Sequence, residues 1–448
     1  MQGGGEWVPH VWFGLSPMWV ATAILVATYV AVMTERVNRA IVAGIGACLM
    51  IVVGVLDQNA AIQGVDFNTI MLLAGMMLLV GITRRTGLFE YLAIRSAKFV
   101  GARPAGILVG LAVATAFISS LLDNVTTVLL VVPVTMAITK ELKVSPYPFL
   151  FAEVMASNIG GTATLIGDPP NIMIGSAAHL TFNDFVINLT PVIILVLVIN
   201  SVALHLIWGK SFKATEADRQ RVLAMNEREL ITDPVLLRHS LSVLGAVLLA
   251  FILARAIHLE PGTIAMFGAA ILILLDNWPH SAEHQTRKVH ASFSDVEWIT
   301  LFFFIGLFVV VAGVERTGLI SRVAHWVLDA THGSLPLASS VILWSSALLS
   351  AVVDNIPFVA AMIPLIREVG PQLAGGPHLV NVLWWSLSLG ACLGGNGTLI
   401  GASANLTVAG LAERQGVPFS FWTYTKTAFG LMLLSIVVAQ AYLMLRYL

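Results

Sequence analysis

Residues 158–171, NIGGTATLIGDPPN, determine how this chain folds. The segment holds three glycines, two prolines and several polar side chains, yet strongly apolar residues flank it on both sides. Such flanks predict helices at membrane depth, where an irregular backbone persists only if protein buries it or if it lines a water-filled cavity. We therefore predict a helix that is broken inside the membrane and whose two half-helix ends can bind a small solute. A kinked but continuous helix is the alternative.

A second copy of this segment follows later in the chain, as GGNGTLIGASAN at 394–405. It lies 234 residues after the matching part of the first copy. The pair Asp123-Asn124 also returns, as Asp354-Asn355, at a spacing of 231. Shared hydrophobicity does not produce matching motifs in the same order and at nearly the same spacing, so the sequence predicts two copies of one unit.

The composition is that of a membrane protein. Hydrophobic residues make up 57% of the 448 residues, charged residues make up 11%, and the mean hydropathy is +0.87. Soluble globular domains are far more polar. Since about 20 apolar residues cross a bilayer, we predict an all-α polytopic membrane protein with about 10 transmembrane helices in two five-span units. The first apolar segment lacks a basic start and is expected to be a retained span.

The basic residues predict the topology. Arg103 and Lys140 flank the apolar region 104–139, and the positive-inside rule assigns both to the cytoplasm. The chain must then leave and return to the same face between them, which predicts a re-entrant hairpin. With five crossings per copy the second copy is inverted, and both termini face outward from the plasma (bacterial inner) membrane.

This reasoning predicts boundaries for each part of the chain. The predicted parts are a first repeat at 1–208 with a hairpin at 104–139 and a broken helix at 148–179, a cytoplasmic linker at 209–238, and a second repeat at 239–448 with a hairpin at 336–369 and a broken helix at 378–411.

Ionisable residues at membrane depth are costly, so each is a functional hypothesis. Asp123 and Asp354 lie at equivalent hairpin tips, whereas Asp168 of the first broken helix has Ala402 as its counterpart. We predict that the three aspartates couple transport to protons or another ion; helix capping is the alternative role. The predicted substrate-binding residues are the neighbouring small and polar groups, namely Asn124, Thr126, Asn158, Gly160, Gly161, Thr162, Thr164, Asn171, Asn355, Gly394, Gly395, Asn396, Thr398, Ser403 and Asn405.

No cofactor, metal site or enzyme chemistry is predicted. Cys48 and Cys392 lie in apolar segments without metal-ligand spacing. The loop that carries His280, His284 and His290 lacks partners at a ligand spacing, so we expect it to be a solvated loop. There is no nucleophile–base pair and no phosphate-binding loop.

The motifs DNVTTVLLVVPV, GGTATLIGDPPN, DNIPFVAAMIP and GGNGTLIGASAN resemble those of the ion transporter superfamily, in the group of arsenite permeases, NhaD-type sodium/proton antiporters and P proteins. The resemblance implies a secondary transporter with a scaffold and a moving transport domain. In the permease branch it implies proton-driven export of arsenite or antimonite. Dicarboxylate members carry a sodium-binding Ser-Asn-Thr at each hairpin tip. Here Asp123-Asn124-Val125 replaces it at the first tip and Asp354-Asn355-Ile356 at the second, which argues against sodium-coupled dicarboxylate uptake.

The leading hypothesis is export of neutral As(OH)3 or Sb(OH)3 in exchange for protons. Neither broken helix contains Lys or Arg, which argues against multivalent anions. Sodium/proton antiport and P-protein-like anion transport are the alternatives. The expected partners are the small inorganic substrate, protons and the lipid bilayer, with no nucleic acid. A homodimer or a cytoplasmic ATPase bound through 209–238 is compatible with the sequence, although nothing in it requires either.

Overall fold

The computed structural model describes residues 9–34, 36–278, 281–373 and 377–448. His280 of the predicted solvated loop lies outside them. His284 and His290 are exposed as expected, but they lie in a helix, Ala282–Ser294, so the prediction of a loop is wrong for this part. Within the described residues every extended regular element is a helix, so the predicted all-α membrane fold is confirmed.

Among the described residues, eleven α-helices precede the linker: α1 (Pro17–Met33), α2 (Arg39–Val52), α3 (Gln58–Gln63), α4 (Phe67–Arg84), α5 (Leu88–Phe99), α6 (Pro104–Ser119), α7 (Asn124–Leu142), α8 (Tyr147–Gly161), α9 (Pro169–Ala178), α10 (Phe182–Asn188) and α11 (Thr190–Trp208). The described linker contains α12 (Glu216–Leu223). The described helices after α12 are α13 (Pro234–Ile257), which begins inside the predicted linker, α14 (Pro261–Asn277), α15 (Ala282–Ser294), α16 (Trp298–Arg316), α17 (Leu319–Ala330), α18 (Leu335–Ser350), α19 (Asn355–Val369), α20 (Pro377–Gly394), α21 (Ser403–Arg414) and α22 (Phe421–Arg446).

Helix length and composition establish several membrane spans. In the described part of the chain, α4, α7, α11, α13, α16 and α22 are each long and apolar enough to cross a bilayer. Shorter apolar helices add to these, and α17 and α18 pass the same test together although they are bent by 119°. The chain is therefore a multi-pass membrane protein. Because α7 alone is long enough to cross, helix length does not test the predicted hairpin at 104–139, which stays a prediction.

The two predicted copies pack into each other. Helix α4 packs along α14, and its counterpart α16 packs along α2. Helices α6 and α18 each pack along the next-but-one helix, α8 and α20, whereas α7 contacts α21 and α19 contacts α9. The predicted hairpins and broken helices therefore meet across the boundary between the copies.

Glycine lets the broken helices lie close to the neighbouring backbones. A Cβ atom on Gly160 would lie 2.1 Å from the carbonyl oxygen of Ala116 in α6. At the equivalent Gly394, a Cβ atom would lie 2.6 Å from the carbonyl oxygen of Ala347 in α18. Small residues allow such close helix packing in membranes. This packing fixes where α8 and α20 end relative to the turns after α6 and α18.

The linker is docked on α5. Glu227 accepts a hydrogen bond from Lys98 Nζ at 2.5 Å and another from Arg95 at 3.3 Å. These contacts lower the pKa of Glu227 to about 2, chiefly through the Lys98 hydrogen bond. Arg219 donates to the carbonyl oxygen of Gly101 at 2.9 Å. The linker is thus attached to the helix that precedes the first predicted hairpin.

Candidate transport site

Both predicted broken helices are interrupted. Helix α8 ends at Gly161 and α9 begins at Pro169, whereas α20 ends at Gly394 and α21 begins at Ser403. Two prolines open α9, where their missing N–H groups cost no helical hydrogen bond. The residues in both gaps are almost all buried. Each gap therefore needs internal partners for its backbone polar groups.

Two equivalent asparagines supply these partners. In the first copy, Asn171 Nδ2 donates to the carbonyl oxygens of Thr162 at 3.1 Å and Thr164 at 2.9 Å. In the second copy, Asn405 Nδ2 donates to the carbonyl oxygens of Gly395 at 2.8 Å and Thr398 at 2.9 Å. Both amides are fully buried. They stabilise the irregular backbone of their own copy.

Two threonines attach the gaps to the helix turns beside them. Thr164 Oγ1 donates to the carbonyl oxygen of Ser120 at 2.5 Å, and Thr398 Oγ1 donates to the carbonyl oxygen of Ala351. These pairs are equivalent by the internal repeat. The turn after α6 and the turn after α18 are thereby held against the two gaps.

A buried amide cluster joins the two copies. Asn158 Nδ2 lies 2.9 Å from Oδ1 of Asn396 and 2.9 Å from Oδ1 of Asn405. Asn124 Nδ2 donates to Asn158 Oδ1 at 3.2 Å. Because buried polar groups are stable only when they are hydrogen-bonded, this cluster fixes the relative position of α7, α8, α21 and the gap that follows α20.

Beside this cluster lie two cavities. The smaller has a volume of about 40 Å³ and the larger about 360 Å³, and Arg39, Glu297 and Ser403 line both. Asp354 lines the larger cavity. The other polar residues of the smaller cavity are Asp123, Asn124, Asp168, Thr300 and Asn355.

The aspartates at the equivalent turns both cap a helix. Asp123 Oδ1 accepts a hydrogen bond from the Thr126 N–H at 2.9 Å, and Asp354 Oδ1 accepts one from the Ile356 N–H at 3.0 Å. Asp354 Oδ2 also accepts from Ser403 Oγ at 2.9 Å. Capping therefore uses one carboxylate oxygen and does not remove the group from the cavities.

Asp168 is held differently. Although it directly precedes α9, its side chain makes no capping hydrogen bond. Its two oxygens lie 3.4 and 3.5 Å from Asn355 Nδ2 of the other copy, and only 2% of the residue is exposed. Ala402 has the same extended backbone before α21. The backbone at this position therefore does not require a carboxylate.

Arg39 is the first site residue that sequence reasoning missed. It donates to Ser403 Oγ at 2.8 Å, to Asp354 Oδ2 at 3.4 Å and to Thr300 Oγ1 at 3.3 Å. Its guanidinium also lies 5.2 Å from the centre of the Phe303 ring. The absence of Lys and Arg from the broken helices therefore does not make the site free of basic groups.

Glu297 is the second site residue that sequence reasoning missed. Its Oε2 accepts a hydrogen bond from Thr300 Oγ1 at 3.0 Å. The available signal was the repeat, because Glu297 corresponds to Asp66, whose carboxylate likewise accepts from Thr69 Oγ1 at 2.8 Å. An acidic residue before each of the equivalent helices α4 and α16 could thus have been singled out.

Three of the predicted substrate-binding residues, Asn124, Asn355 and Ser403, line the cavities. The others do not line either cavity. They lie at a helix cap, in the two gaps or in the helix ends next to the gaps: Thr126, Asn158, Gly160, Gly161, Thr162, Thr164, Asn171, Gly394, Gly395, Asn396, Thr398 and Asn405.

The thiol near this site is buried. Cys392 Sγ lies 3.7 Å from Asn171 Oδ1, which also accepts from Ser388 Oγ at 2.6 Å. Within the described residues, no group of three or more His, Cys, Asp or Glu side chains could hold a metal ion.

Two solved transporters share the fold. The YdaH transporter of Alcanivorax borkumensis aligns with a TM-score of 0.54 at 14% identity, covering 96% of this chain and 97% of its own. MtrF of Neisseria gonorrhoeae aligns with a TM-score of 0.57 at 12% identity, covering 99% of this chain and 96% of its own. At these identities the likeness concerns the fold alone.

Curated relatives are closer in sequence. An uncharacterized transporter of Mycobacterium tuberculosis is 42% identical over 433 residues, which cover 96% of this chain and 98% of that protein. The P protein of Homo sapiens is 33% identical over 509 residues, which cover 96% of this chain and 60% of that protein. The predicted relationship to P proteins is confirmed, whereas the arsenite permease branch stays a prediction.

A family model described as "Citrate transporter" (CitMHS) matches residues 29–390, which is most of the chain. The match includes both acidic turns, which are the turns that carry Asp123 and Asp354, and also the first broken helix, Arg39 and Glu297. The chain therefore belongs to the CitMHS family of membrane transporters.

Proposed function

We propose that this transporter exports a small neutral hydroxylated solute, of which arsenous and antimonous acid are the candidates, in exchange for protons. Asp123, Asp354 and Asp168 carry the protons. The observation that carries the proposal is the charge of the two adjoining cavities. Among the described residues, four carboxylates line them together with one guanidinium, that of Arg39. The carboxylates are those of Asp123, Asp168, Asp354 and Glu297.

This excess of acidic groups supports coupling to a cation. Ionised carboxylates at membrane depth are costly, and several of them at close range repel one another. Binding of protons lowers both costs. A site of this kind therefore changes its charge as it loads and unloads protons, which is what coupling to a proton gradient requires.

The same charge disfavours a polyanion as the substrate. A citrate trianion would meet four carboxylates and a single arginine that Asp354 already neutralises. The description of the family names citrate, but this balance of charges gives little support to that substrate here. A neutral triol avoids the repulsion.

The uncharged polar groups suit a neutral hydroxylated solute. Asn124, Asn355, Ser403 and Thr300 contribute amide and hydroxyl groups to the smaller cavity. Such groups both donate and accept hydrogen bonds. The cavity volume of about 40 Å³ calls for a small solute or for some opening of the site on binding.

Sodium/proton antiport is the second candidate, and the four carboxylates also favour it. Carboxylate and carbonyl oxygens are suitable ligands for hard cations. In this case sodium and protons would compete for the same aspartates, and no metalloid would be needed to release protons.

Purified protein in proteoliposomes with a trapped pH dye distinguishes the candidates. Arsenite, antimonite, sodium, lithium and citrate are added in turn, with Asp123→Asn and Asp354→Asn proteoliposomes as controls. We expect proton movement on addition of arsenite or antimonite and none in the controls. Proton movement with sodium or lithium alone would select the antiporter, and movement only with citrate would overturn the proposal.

A further inference from the structure

Arg39 occupies a position that its own helix disfavours. It is the first residue of α2, directly after Asn38, whose Oδ1 caps the helix by accepting from the Ala40 N–H at 2.9 Å. The N-terminus of a helix carries partial positive charge, so a cation there is unfavourable. A charge near the apolar part of a membrane protein adds a desolvation cost. The contacts of the guanidinium must offset both costs.

These contacts come from two groups of helices. Thr300 and Phe303 belong to α16, which packs along α2. Asp354 precedes α19, and Ser403 opens α21. The guanidinium therefore connects the α2–α16 pair to the turn that carries Asp354 and to the second half of the second broken helix.

The first copy lacks an equivalent bridge. The helix that corresponds to α2 is α14, and it begins at Pro261 after Glu260. Within the described residues, no Lys, Arg or His group lies within 4.0 Å of the Asp123 carboxylate, whereas Arg39 lies within that distance of Asp354. Within the described residues, Asp354 is thus the one of the two equivalent aspartates that has a built-in cation.

The other charged groups around the bridge are all acidic. Glu297 before α16, Asp123 before α7 and Asp168 before α9 line the same two cavities. Within the described residues, Arg39 is the single basic residue of their lining. No second base can therefore replace it at Asp354 without a change of conformation.

We propose that Arg39 is a tethered counter-cation for Asp354, which holds the second acidic turn against the α2–α16 pair until a coupling cation neutralises Asp354. Arg39 thereby supplies at Asp354 the compensating positive charge that a free cation supplies at Asp123. This inference rests on the proposed cation coupling. It has a consequence that does not depend on the substrate: without Arg39, Asp354 becomes a site that a free cation such as sodium or lithium can occupy.

Thermal unfolding of the purified full-length protein in detergent tests the pairing. The variants are Arg39→Gln, Asp354→Asn, the double variant, and Arg36→Gln as a control at an exposed arginine on the same connection. Arg39 and Asp354 are partly buried, with side-chain exposures of 28% and 20%. Removing one partner of such an ion pair leaves the other charge uncompensated, whereas removing both leaves no unpaired charge. We therefore expect each single site variant to lower the melting temperature and the double variant to recover most of the loss. Additive losses in the double variant would overturn the proposal.

The cation arm repeats the measurement in sodium, lithium or choline chloride at equal ionic strength. We expect sodium or lithium to raise the melting temperature of Arg39→Gln selectively, with no such selective rise in the parent, Arg36→Gln or the double variant. A rise of equal size in all variants, or none in Arg39→Gln, would overturn the proposal. If Arg39→Gln cannot be purified, the double variant must be, and its failure counts against the proposal.

These readouts need no substrate, so they remain interpretable if the proposed function fails. Absence of metalloid-triggered proton movement in the parent would contradict the proposed substrate. Additive melting losses and the absence of a sodium or lithium response would contradict the role of Arg39. The two failures are therefore seen in different experiments.

Discussion

Asn158 donates a hydrogen bond to Asn405 over 2.9 Å, and both side chains are fully buried. The bond joins the first half of one broken helix to the second half of the other, so it connects the two copies at the level of the gaps. A buried acceptor that loses its donor costs about 1–3 kcal/mol. This places a measurable part of the stability at the boundary between the copies.

Asn158→Ala is therefore expected to lower the free energy of unfolding by about 1–3 kcal/mol, because Asn396 and Asn405 both lose a donor. Denaturant or thermal unfolding of the purified protein measures the loss. Asn183→Ala, which removes an exposed amide, is the control and should have a much smaller effect. Equal stability of Asn158→Ala and the parent would show that the amide cluster does not hold the copies together.

The equivalent glycines at the ends of α8 and α20 should differ in their tolerance of alanine. A Cβ atom on Gly161 would lie 2.3 Å from Asn124 Oδ1 and 2.6 Å from the Gly167 carbonyl oxygen. On Gly395 the nearest atom, the Gly401 carbonyl oxygen, is 3.1 Å away. We expect Gly161→Ala to cost about 1–3 kcal/mol as an overpacked site and Gly395→Ala to cost less.

Melting temperature and the yield of monodisperse protein measure this difference. Gly410→Ala in α21 is the control, since nothing lies within 4 Å of its Cβ position. It should be neutral or slightly stabilising, because alanine favours a helix over glycine. A larger loss for Gly395→Ala than for Gly161→Ala would contradict the expected order.

Asp168→Ala is expected to leave the fold intact and to abolish proton coupling. No capping hydrogen bond is lost, and Ala402 already occupies the equivalent backbone position in the second copy. Asp123→Asn is the comparison, because an asparagine Oδ1 can still accept from the Thr126 N–H but cannot carry a proton to the site. We expect both variants to melt near the parent and to show no pH-driven flux in proteoliposomes. Normal pH-driven flux in Asp168→Ala would remove Asp168 from the coupling set.

The linker contact should depend on pH. The pKa of Glu227 is lowered from 4.5 to about 2. Its ion pairs with Lys98 and Arg95 therefore contribute their full stabilisation to the docked linker at pH values above the ordinary pKa of a glutamate. This stabilisation is lost as the pH falls from about 4.5 towards 2. At pH 7, Glu227→Gln should make 209–238 more susceptible to proteolysis, whereas the exposed Glu229→Gln should not. Equal cleavage rates in the two variants would contradict the docking role of Glu227.

The sequence was sufficient to predict the all-helical membrane fold and the place of the helix breaks, since Gly160, Gly161, Pro169 and Pro170 interrupt an apolar pattern. It could not predict that Arg39 meets Asp354. That contact depends on how α2 packs against α16, which no local pattern encodes.

The cavity lining shows the same limit. The repeat identified equivalent polar residues, but periodicity does not say which of them face a cavity and which bond to a neighbouring backbone. Asn124 and Asn355 line the smaller cavity, whereas Asn171 and Asn405 stabilise the gaps. The hydrogen-bond partners of each amide depend on how closely the helices pack around the glycines. The sequence shows these glycines but does not show that packing.

The exchange of partners between the copies also bears on how the protein is made. Helix α4 is synthesised long before α14, along which it packs, and α2 is synthesised long before α16. During translation, the surfaces of α2 and α4 that later contact α16 and α14 must therefore be covered by lipid or by a membrane chaperone. If the gene were split at the linker, each product alone would lack the other's helices, and only co-expression of the two halves would yield an assembled transporter.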